Sequence, residues 1–368
     1  MTTAQRHGIV RLAKGETDNG CTILVRRSIA LWTFPPGLAT ETAMNTALPS
    51  VSVIITAYDA SATIADAIRT ALAQPETAEV IVIDDASADG TDATALAAGG
   101  GDDRLRVVRR TVNGGPAAAR NQAIDLAQGD FVAILDADDF VLPGRFSRLL
   151  AVADADMMAD NILFVAESAG PDTLPPIPPV TPDIIDIDLV GFVRANRTVR
   201  GSSRREWGFL KPIIRRSFLQ DAGLRYDEGL RLGEDYDLYV RMLQRGALFR
   251  VTTQVGYAAR WRSDSLSSRH RTADLAALHT AARAHLEAGA SPDDARSALA
   301  SHAGELRQRF LLRDFLDRRA RMGRARALLS LWQDPLSIGP IARGILSDKL
   351  SSRKPPAPSR IGRLLIED

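Results

Sequence analysis

Phe131-Val-Ala-Ile-Leu-Asp-Ala-Asp-Asp139 is the stretch on which the fold turns. Five apolar residues run without interruption and stop at three carboxylates in four positions. An apolar run of that length reads as a strand buried on both faces, as in parallel sheets. Residues just past such a strand lie at its carboxyl end, where open α/β sheets bind their ligands. Three similar runs precede it: Val51 to Ile55, Glu79 to Ile83 and Leu105 to Val108. Helical stretches separate them, at Ala60 to Ala73, Asp89 to about Ala98, and Pro116 to Ala127. The last has proline in its first turn, where a missing N–H costs nothing. Strand and helix alternate, which predicts βαβ units and an α/β fold with a mostly parallel central sheet flanked by helices.

Outside this core the sequence is uneven. The chain has 368 residues, 45% hydrophobic and 25% charged. That length allows one large or two modest domains, and the composition excludes disorder along the whole chain and fibrous repeats. One cysteine, Cys21, excludes a disulfide framework or a cysteine-rich metal site. Four of the five histidines lie at or after His270, which leaves the strand ends to oxygen ligands. No run of 18 apolar residues is present, and Ser28 to Phe34 stops at Pro35-Pro36, so neither a membrane span nor a signal peptide is expected. Residues 1–47 lack periodicity and read as an extension, poorly ordered or preceding a true start at Met44. A first domain is expected over 48–268, in two halves, 48–165 and 190–268. Six prolines between 166 and 190 read as a long loop or linker joining them.

The third region, 269–368, is helical and basic. From Arg269 onward 18 basic and 11 acidic residues give +7, which leaves −6 for the rest. Leu306, Phe310, Leu311, Leu312, Phe315 and Leu316 recur at helical spacing among arginines. Two readings stand: an amphipathic helix packed on the core, or one attracted to a membrane surface. No base-stacking aromatics are interleaved with the arginines, so a nucleic-acid partner is not expected.

Chemistry concentrates at the strand ends. After the first strand come Thr56, Ala57, Tyr58 and Asp59. After the second come Asp84 and Asp85. Asn113-Gly-Gly-Pro116 follows the third, with Arg120 one helical turn on. The fourth ends in Asp136, Asp138 and Asp139, carboxylates that repel one another unless a cation neutralises them. Oxygen-only ligands suit Mg²⁺ or Mn²⁺. Gly233-Glu-Asp-Tyr-Asp237 opens a helix. Its acids complement the helix dipole, or supply a general base that takes a proton from an attacking hydroxyl. Arg260 and Arg262 follow, available to a leaving diphosphate. Neither G-x-G-x-x-G after a strand nor G-x-x-x-x-G-K-S/T is present, so dinucleotide and P-loop sites lose their support.

Together VSVIITAYD (Val51–Asp59), VIVIDDASADGT (Val80–Thr91), NGGPAAARNQAI (Asn113–Ile124), FVAILDADD (Phe131–Asp139) and GEDYDLYVRM (Gly233–Met242) resemble an inverting family 2 glycosyltransferase of GT-A fold over about residues 50–268. GPAAARN followed by ILDADDFVLPGR also resembles glucosyltransferases of succinoglycan-type exopolysaccharide assembly. The resemblance implies a Rossmann-like nucleotide-sugar half at 48–165 and an acceptor half at 190–268. It implies that Thr56 and Asp85 hold the uracil of a UDP-sugar, in the strand-end group with Ala57 and Tyr58. Arg120 is then near the base or diphosphate, Asp136 on the ribose, Asp138 and Asp139 on the metal. Asp235 is then the catalytic base and Glu234 its neighbour. Asp59 stands where many members have Asn, and Arg262 where a histidine often lies. Trp207, Lys211 and Pro212 are candidate acceptor contacts.

The expected reaction moves a hexose, glucose by the narrower resemblance, from a UDP-sugar to a glycan or lipid-diphosphate-linked acceptor. The protein is then expected in the cytoplasm of a bacterium, touching the anionic inner face of the membrane. A sugar nucleotidyltransferase also uses α/β sheets, carboxylates and Mg²⁺, but usually has a glycine/arginine-rich loop that Thr56 to Ala60 lacks. A non-catalytic nucleotide-sugar-binding protein has no use for Asp85, Asp136, Asp138 and Asp235 together.

Overall fold

The computed structural model describes residues 16–17, 20–21, 49–152, 154–174, 176–177, 180–197, 206–261, 271–288, 292–351 and 361–366. The chain divides into two compact units, Met1–Ala47 and Leu48–Asp368. In the first, β1 (Glu16–Thr17) and β2 (Gly20–Cys21) pair antiparallel. Met44 and the apolar stretch 28–34 lie outside the described residues.

The second unit begins with the four expected strands. They are β3 (Val51–Ala57), β4 (Thr77–Asp84), β5 (Leu105–Arg109) and β6 (Phe131–Asp136), parallel in the order β5-β4-β3-β6. Crossover helices α1 (Ile64–Leu72), α2 (Thr91–Gly99) and α3 (Gly115–Leu126) connect them. The chain leaves β3 first toward β4 and later toward β6, so the strand order reverses beside β3, and ligand crevices form at such points. Ile54, Ile55, Ile81, Ile83 and Ile134 are buried, each stabilising the fold by about 1.5–3 kcal/mol. Helix α1 starts at Ile64 rather than Ala60. Ala60 N–H donates to Thr91 Oγ1 and Ser61 N–H to Asp89, which ties this turn to the β4–α2 loop.

The rest of the sheet was less visible in the sequence. It comprises β7 (Phe140–Val141), β8 (Met157–Ala166), β9 (Ile184–Ile187), β10 (Ile213–Arg215) and β11 (Phe249–Trp261). Strand β10 runs antiparallel between β6 and β8, while β11 pairs parallel with β8 and antiparallel with β7 and β9. Asp160 and Asn161 in β8, and Thr252 to Gln254 with Gly256 in β11, interrupt the apolar pattern that marks a buried strand. The proline-rich stretch 166–190 is more than a linker: it contributes β9 and a 3-10 turn, Pro171–Thr173.

Helices α4 (Arg145–Leu150), α5 (Leu189–Ala195), α6 (Arg216–Asp221) and α7 (Glu234–Gln244) pack around this half. Then come α8 (Thr272–Glu287), α9 (Asp293–Met322), α10 (Arg324–Ser330) and α11 (Ile338–Ser351). Polar pairs pin them to the body: His285 Nε2 lies 2.7 Å from Asp237, both buried, and the half-buried Arg231 2.7 Å from Asp274. The chain then returns to β8. Gly362 N–H donates to Phe164 O, Leu365 N–H to Ile162 O, and the Asn161 side chain bonds Ile366 in both directions. No helix among the described residues is long and apolar enough to cross a membrane.

Candidate active site

The reversal beside β3 sets the strand ends in register. Thr56 is paired with Asp136 and Ala57 with Asp84, while Tyr58 stands exposed at the edge. Asp59 has φ +48°, a left-handed conformation that Asn and Asp tolerate better than other side chains. Its N–H donates to Ser87 Oγ and its carboxylate accepts from Ala88 N–H, locking two strand-end loops together. Asp85 is buried and accepts from Gly114 N–H, Gly115 N–H (2.7 Å) and Arg110 (2.8 Å). A carboxylate has about four acceptor positions, so Asp85 already shapes the Asn113 to Gly115 loop while keeping room for one more donor. Gly115 has φ +84°, which favours glycine at this bend.

Four segments meet at Asp136. Arg120 of α3 reaches Asp136 Oδ1 at 3.0 Å, Glu234 Oε1 at 2.6 Å and Asp235 Oδ1 at 3.1 Å. Lys211 Nζ lies 2.9 Å from both Asp136 Oδ2 and Asp235 Oδ2. These contacts close a ring: Asp136, Arg120, Asp235, Lys211 and back. The fold explains the meeting. Strand β10 pairs Ile213 with Ala133, and two residues further along that register Lys211 comes beside the end of β6. Glu234 and Asp235 occupy the first turn of α7, whose helix dipole favours negative charge.

With Glu234, which hangs on Arg120 outside the ring, the cluster holds three carboxylates against two cations. Burial acts to raise the Asp136 carboxyl, but Lys211 and Arg120 outweigh it and hold it down at about 2. Burial likewise works against the Lys211 ammonium, and Asp136 and Asp235 overcome it and raise its pKa. At Glu234 burial prevails, and its carboxyl is pushed up although Arg120 opposes the shift. The Arg120 guanidinium also stands 5.3 Å over the Tyr226 ring.

The remaining acids of the strand-four cluster differ sharply. Asp139 is buried and its carboxylate accepts from Tyr257 O–H (2.8 Å) and Arg260 N–H (2.9 Å). Burial, then the charges of Asp138 and Asp136, push its carboxyl well above the usual range. Asp138 is half-buried, and its carbonyl accepts from Arg260. Among the described residues no three His, Cys, Asp or Glu side chains converge to hold a metal on their own.

A second buried ion pair stands behind the ring. Arg145 Nε lies 3.0 Å from Asp160, and the Arg145 guanidinium donates to the Lys211 carbonyl. It also stacks 5.2 Å over the Tyr257 ring. A Cβ on Gly256 would fall 1.7 Å from Asp160 Oδ2, so only glycine fits there.

The structure thus brings Arg120, Asp136, Lys211, Glu234 and Asp235 together. Arg120 faces the acidic turn of α7 rather than the Asp85 loop where a base was expected. Lys211, a candidate acceptor contact, has its charge spent on two carboxylates. The sequence hint was a lysine flanked by Leu210 and Pro212-Ile-Ile: a cation entering a buried strand needs an acid partner. The Arg260 guanidinium is tied to Asp66, the Ala169 carbonyl and the Asp138 carbonyl. Trp207 is buried. Tyr257, Arg145 and Asp160 went unnoticed: Tyr257 meets Asp139 across 118 positions, and Arg145 and Asp160 lie on different elements, α4 and β8. Arg262 lies outside the described residues.

Comparison with known proteins identifies the family and the fold. Residues 52–218 match the family model Glycosyl transferase family 2. Over 323 residues the chain is 46% identical to the succinoglycan biosynthesis protein ExoU of Rhizobium meliloti, covering 87% of this chain and 94% of the relative. ExoO of the same organism, also a succinoglycan biosynthesis protein, is 36% identical over 65% of this chain and 68% of its own. In fold, S. aureus TarS bound to UDP-GlcNAc superposes with a TM-score of 0.51 at 21% identity, over 74% of each chain. A Pyrobaculum calidifontis mannosyltransferase bound to GDP-Man and Mn²⁺ gives 0.50 at 19% identity, over 83% of this chain and 81% of its own. The fold is GT-A, and the chain belongs to glycosyl transferase family 2.

Proposed function

We propose that this glycosyltransferase moves a hexose, with glucose the first to screen, from a UDP-sugar to a glycan or lipid-diphosphate-linked oligosaccharide. The reaction is a single displacement inverting the anomeric carbon. The observation that carries this reading is the ring itself. A carboxylate in the first turn of α7, Asp235, is held through Arg120 and Lys211 against Asp136 at the end of β6. One side of that ring suits an acceptor hydroxyl and the other a donor diphosphate.

Thr56, Ala57 and Tyr58 form the edge that receives the nucleotide, and Asp85 offers its remaining acceptor position to the uracil N–H. Asp136 faces the ribose. Asp138, with Asp139 beside it, is the carboxylate assigned to Mg²⁺ or Mn²⁺. Bound there with the donor phosphates, the ion would offset charge on the departing diphosphate. Asp235 takes the proton of the attacking hydroxyl. Arg120 and Lys211 occupy its two oxygens. An arriving diphosphate competes for Lys211 and Arg120, which frees Asp235 when the donor is in place. Two relatives named as succinoglycan biosynthesis proteins support an exopolysaccharide product. A lipid-linked acceptor puts the protein in the bacterial cytoplasm, in peripheral contact with the inner membrane.

Calorimetry of UDP binding with and without Mn²⁺, on the native chain and on Asp138→Asn, tests the donor site. Binding that needs the metal and is lost in the variant supports it. No binding under either condition refutes it.

A further inference from the structure

The C-terminal helices make a small packing unit at the far end of α9. Its 30 residues span about 45 Å at 1.5 Å per residue. Near its start Ala298 and Leu299 join the main core. Midway Ala303 and Leu306 pack with Ala282 of α8. At its end Phe315 is buried with Ala327 of α10 and Ile341 of α11. The apolar face legible in the sequence of α9 is therefore largely spent on packing, and it is not the surface that meets a partner.

A different apolar set remains outside. Leu328, Leu329, Trp332 and Leu336 are 56%, 65%, 82% and 77% exposed, all within nine residues of chain. Soluble surfaces seldom gather so many large apolar side chains, and such patches mark interaction sites. The surrounding charge has one sign. From Arg318 to Leu346 six arginines stand against a single carboxylate, Asp334, and Arg319, Arg321, Arg324 and Arg326 are exposed.

We propose that the corner between α10 and α11 is an interfacial anchor. It lays Leu328, Leu329, Trp332 and Leu336 into the surface of an anionic phospholipid bilayer and sets the neighbouring arginines on the headgroups. Apolar side chains that include a tryptophan, bordered by arginine, are the combination that binds anionic interfaces without crossing them. A second copy of this chain is disfavoured as the occupant, since it would press the same arginines against one another. The small core beneath the corner holds the patch in place, and α9 carries it away from the catalytic sheet. The anchor deepens the membrane contact proposed above and rests on that reading for its purpose, though its chemistry needs no donor.

The test is flotation of the full chain with vesicles of 30% phosphatidylglycerol in phosphatidylcholine, and with phosphatidylcholine alone. The native chain is expected to float with the anionic vesicles, at least tenfold more strongly than with the neutral ones. Leu329→Ser combined with Trp332→Ser is expected to lower that binding at least tenfold while UDP binding is unchanged. Brominated acyl chains are expected to quench a fluorescence component that Trp332→Phe removes. Equal flotation of native and doubly substituted chains overturns the anchor. So does a native dimer in light scattering that the double substitution dissociates. A native chain that binds UDP but does not float with anionic vesicles sinks the anchor alone, whereas a native chain that floats but does not bind UDP sinks only the donor reading.

Discussion

Two buried charge clusters lie back to back in this enzyme, and Lys211 belongs to both. Its ammonium closes the ring with Asp136 and Asp235, while its carbonyl accepts from Arg145, which pairs with Asp160. The clusters differ in balance and in access. Arg145 and Asp160 match one cation with one anion, and their side chains are 1% and 2% exposed. In the ring and the Glu234 attached to it, three carboxylates share two cations, and the Asp136 side chain keeps 30% of its surface open. A sealed, balanced pair holds a shape. An open ring with spare negative charge can accept a cation, exchange partners and take a proton.

The sharpest way to break this comparison is to substitute the proposed base. Asp235→Asn keeps the shape and removes the basic oxygen. Glycosyl transfer is expected to fall about 10²–10⁴-fold, the usual contribution of a general base. The thermal unfolding midpoint should hardly move, because Arg120 keeps Glu234 and Asp136, and Lys211 keeps Asp136. An assay of UDP release with a lipid-linked acceptor reads the first expectation and a melting curve the second. Full activity in Asp235→Asn would strip the ring of its catalytic meaning.

The sealed pair should respond in the opposite way. Arg145→Met leaves Asp160 charged, buried and alone, which is expected to cost about 3–5 kcal/mol of stability. Adding Asp160→Val removes the stranded charge, and the double variant should recover much of that loss. Urea unfolding of both variants gives the comparison. Additive losses would mean that each residue acts through other contacts. Donor affinity in the double variant should weaken only as far as Lys211 and Tyr257 shift, since Arg145 reaches the ring through the Lys211 carbonyl and through Tyr257, whose hydroxyl accepts from Asp136 N–H.

What the sequence could disclose follows the same division. Strands β3 to β6 were legible because each is an apolar run ending in polar residues, so identity and position agree within a few neighbours. Asp85, Asp136 and Asp235 were legible because carboxylates at strand ends and in a helix first turn form a local pattern. The partners were not. Arg120 and Glu234 are 114 positions apart, and Tyr257 and Asp139 118. Nothing near either member of such a pair announces the other. Strand β11 hid for a related reason. Its Gly256 weakens the strand locally and makes sense only against Asp160, which lies on another strand. The C-terminal helices were read as amphipathic, either packed on the core or drawn to a membrane; Phe315 packs inward, while Trp332, beyond that stripe, faces out.

The smallest expected effect is also the finest discriminator, because the two clusters should respond to acid with opposite sign. Asp136 has its carboxyl lowered from 3.8 to about 2, as Lys211 and Arg120 outweigh burial. Its contribution is therefore complete above pH 3.8 and fades as pH falls toward 2. Asp160 is shifted the other way, because burial outweighs Arg145 and raises its carboxyl above 3.8. Its contribution is complete below that value and fades as pH rises through the raised one. Urea unfolding of the native chain, Asp136→Asn and Asp160→Asn, repeated between pH 3 and pH 6, separates the two. The native advantage over Asp136→Asn should grow as pH rises across that interval, and the advantage over Asp160→Asn should shrink. Parallel curves would show that cations govern both carboxylates alike, and the contrast between an open ring and a sealed pair would then have no electrostatic basis.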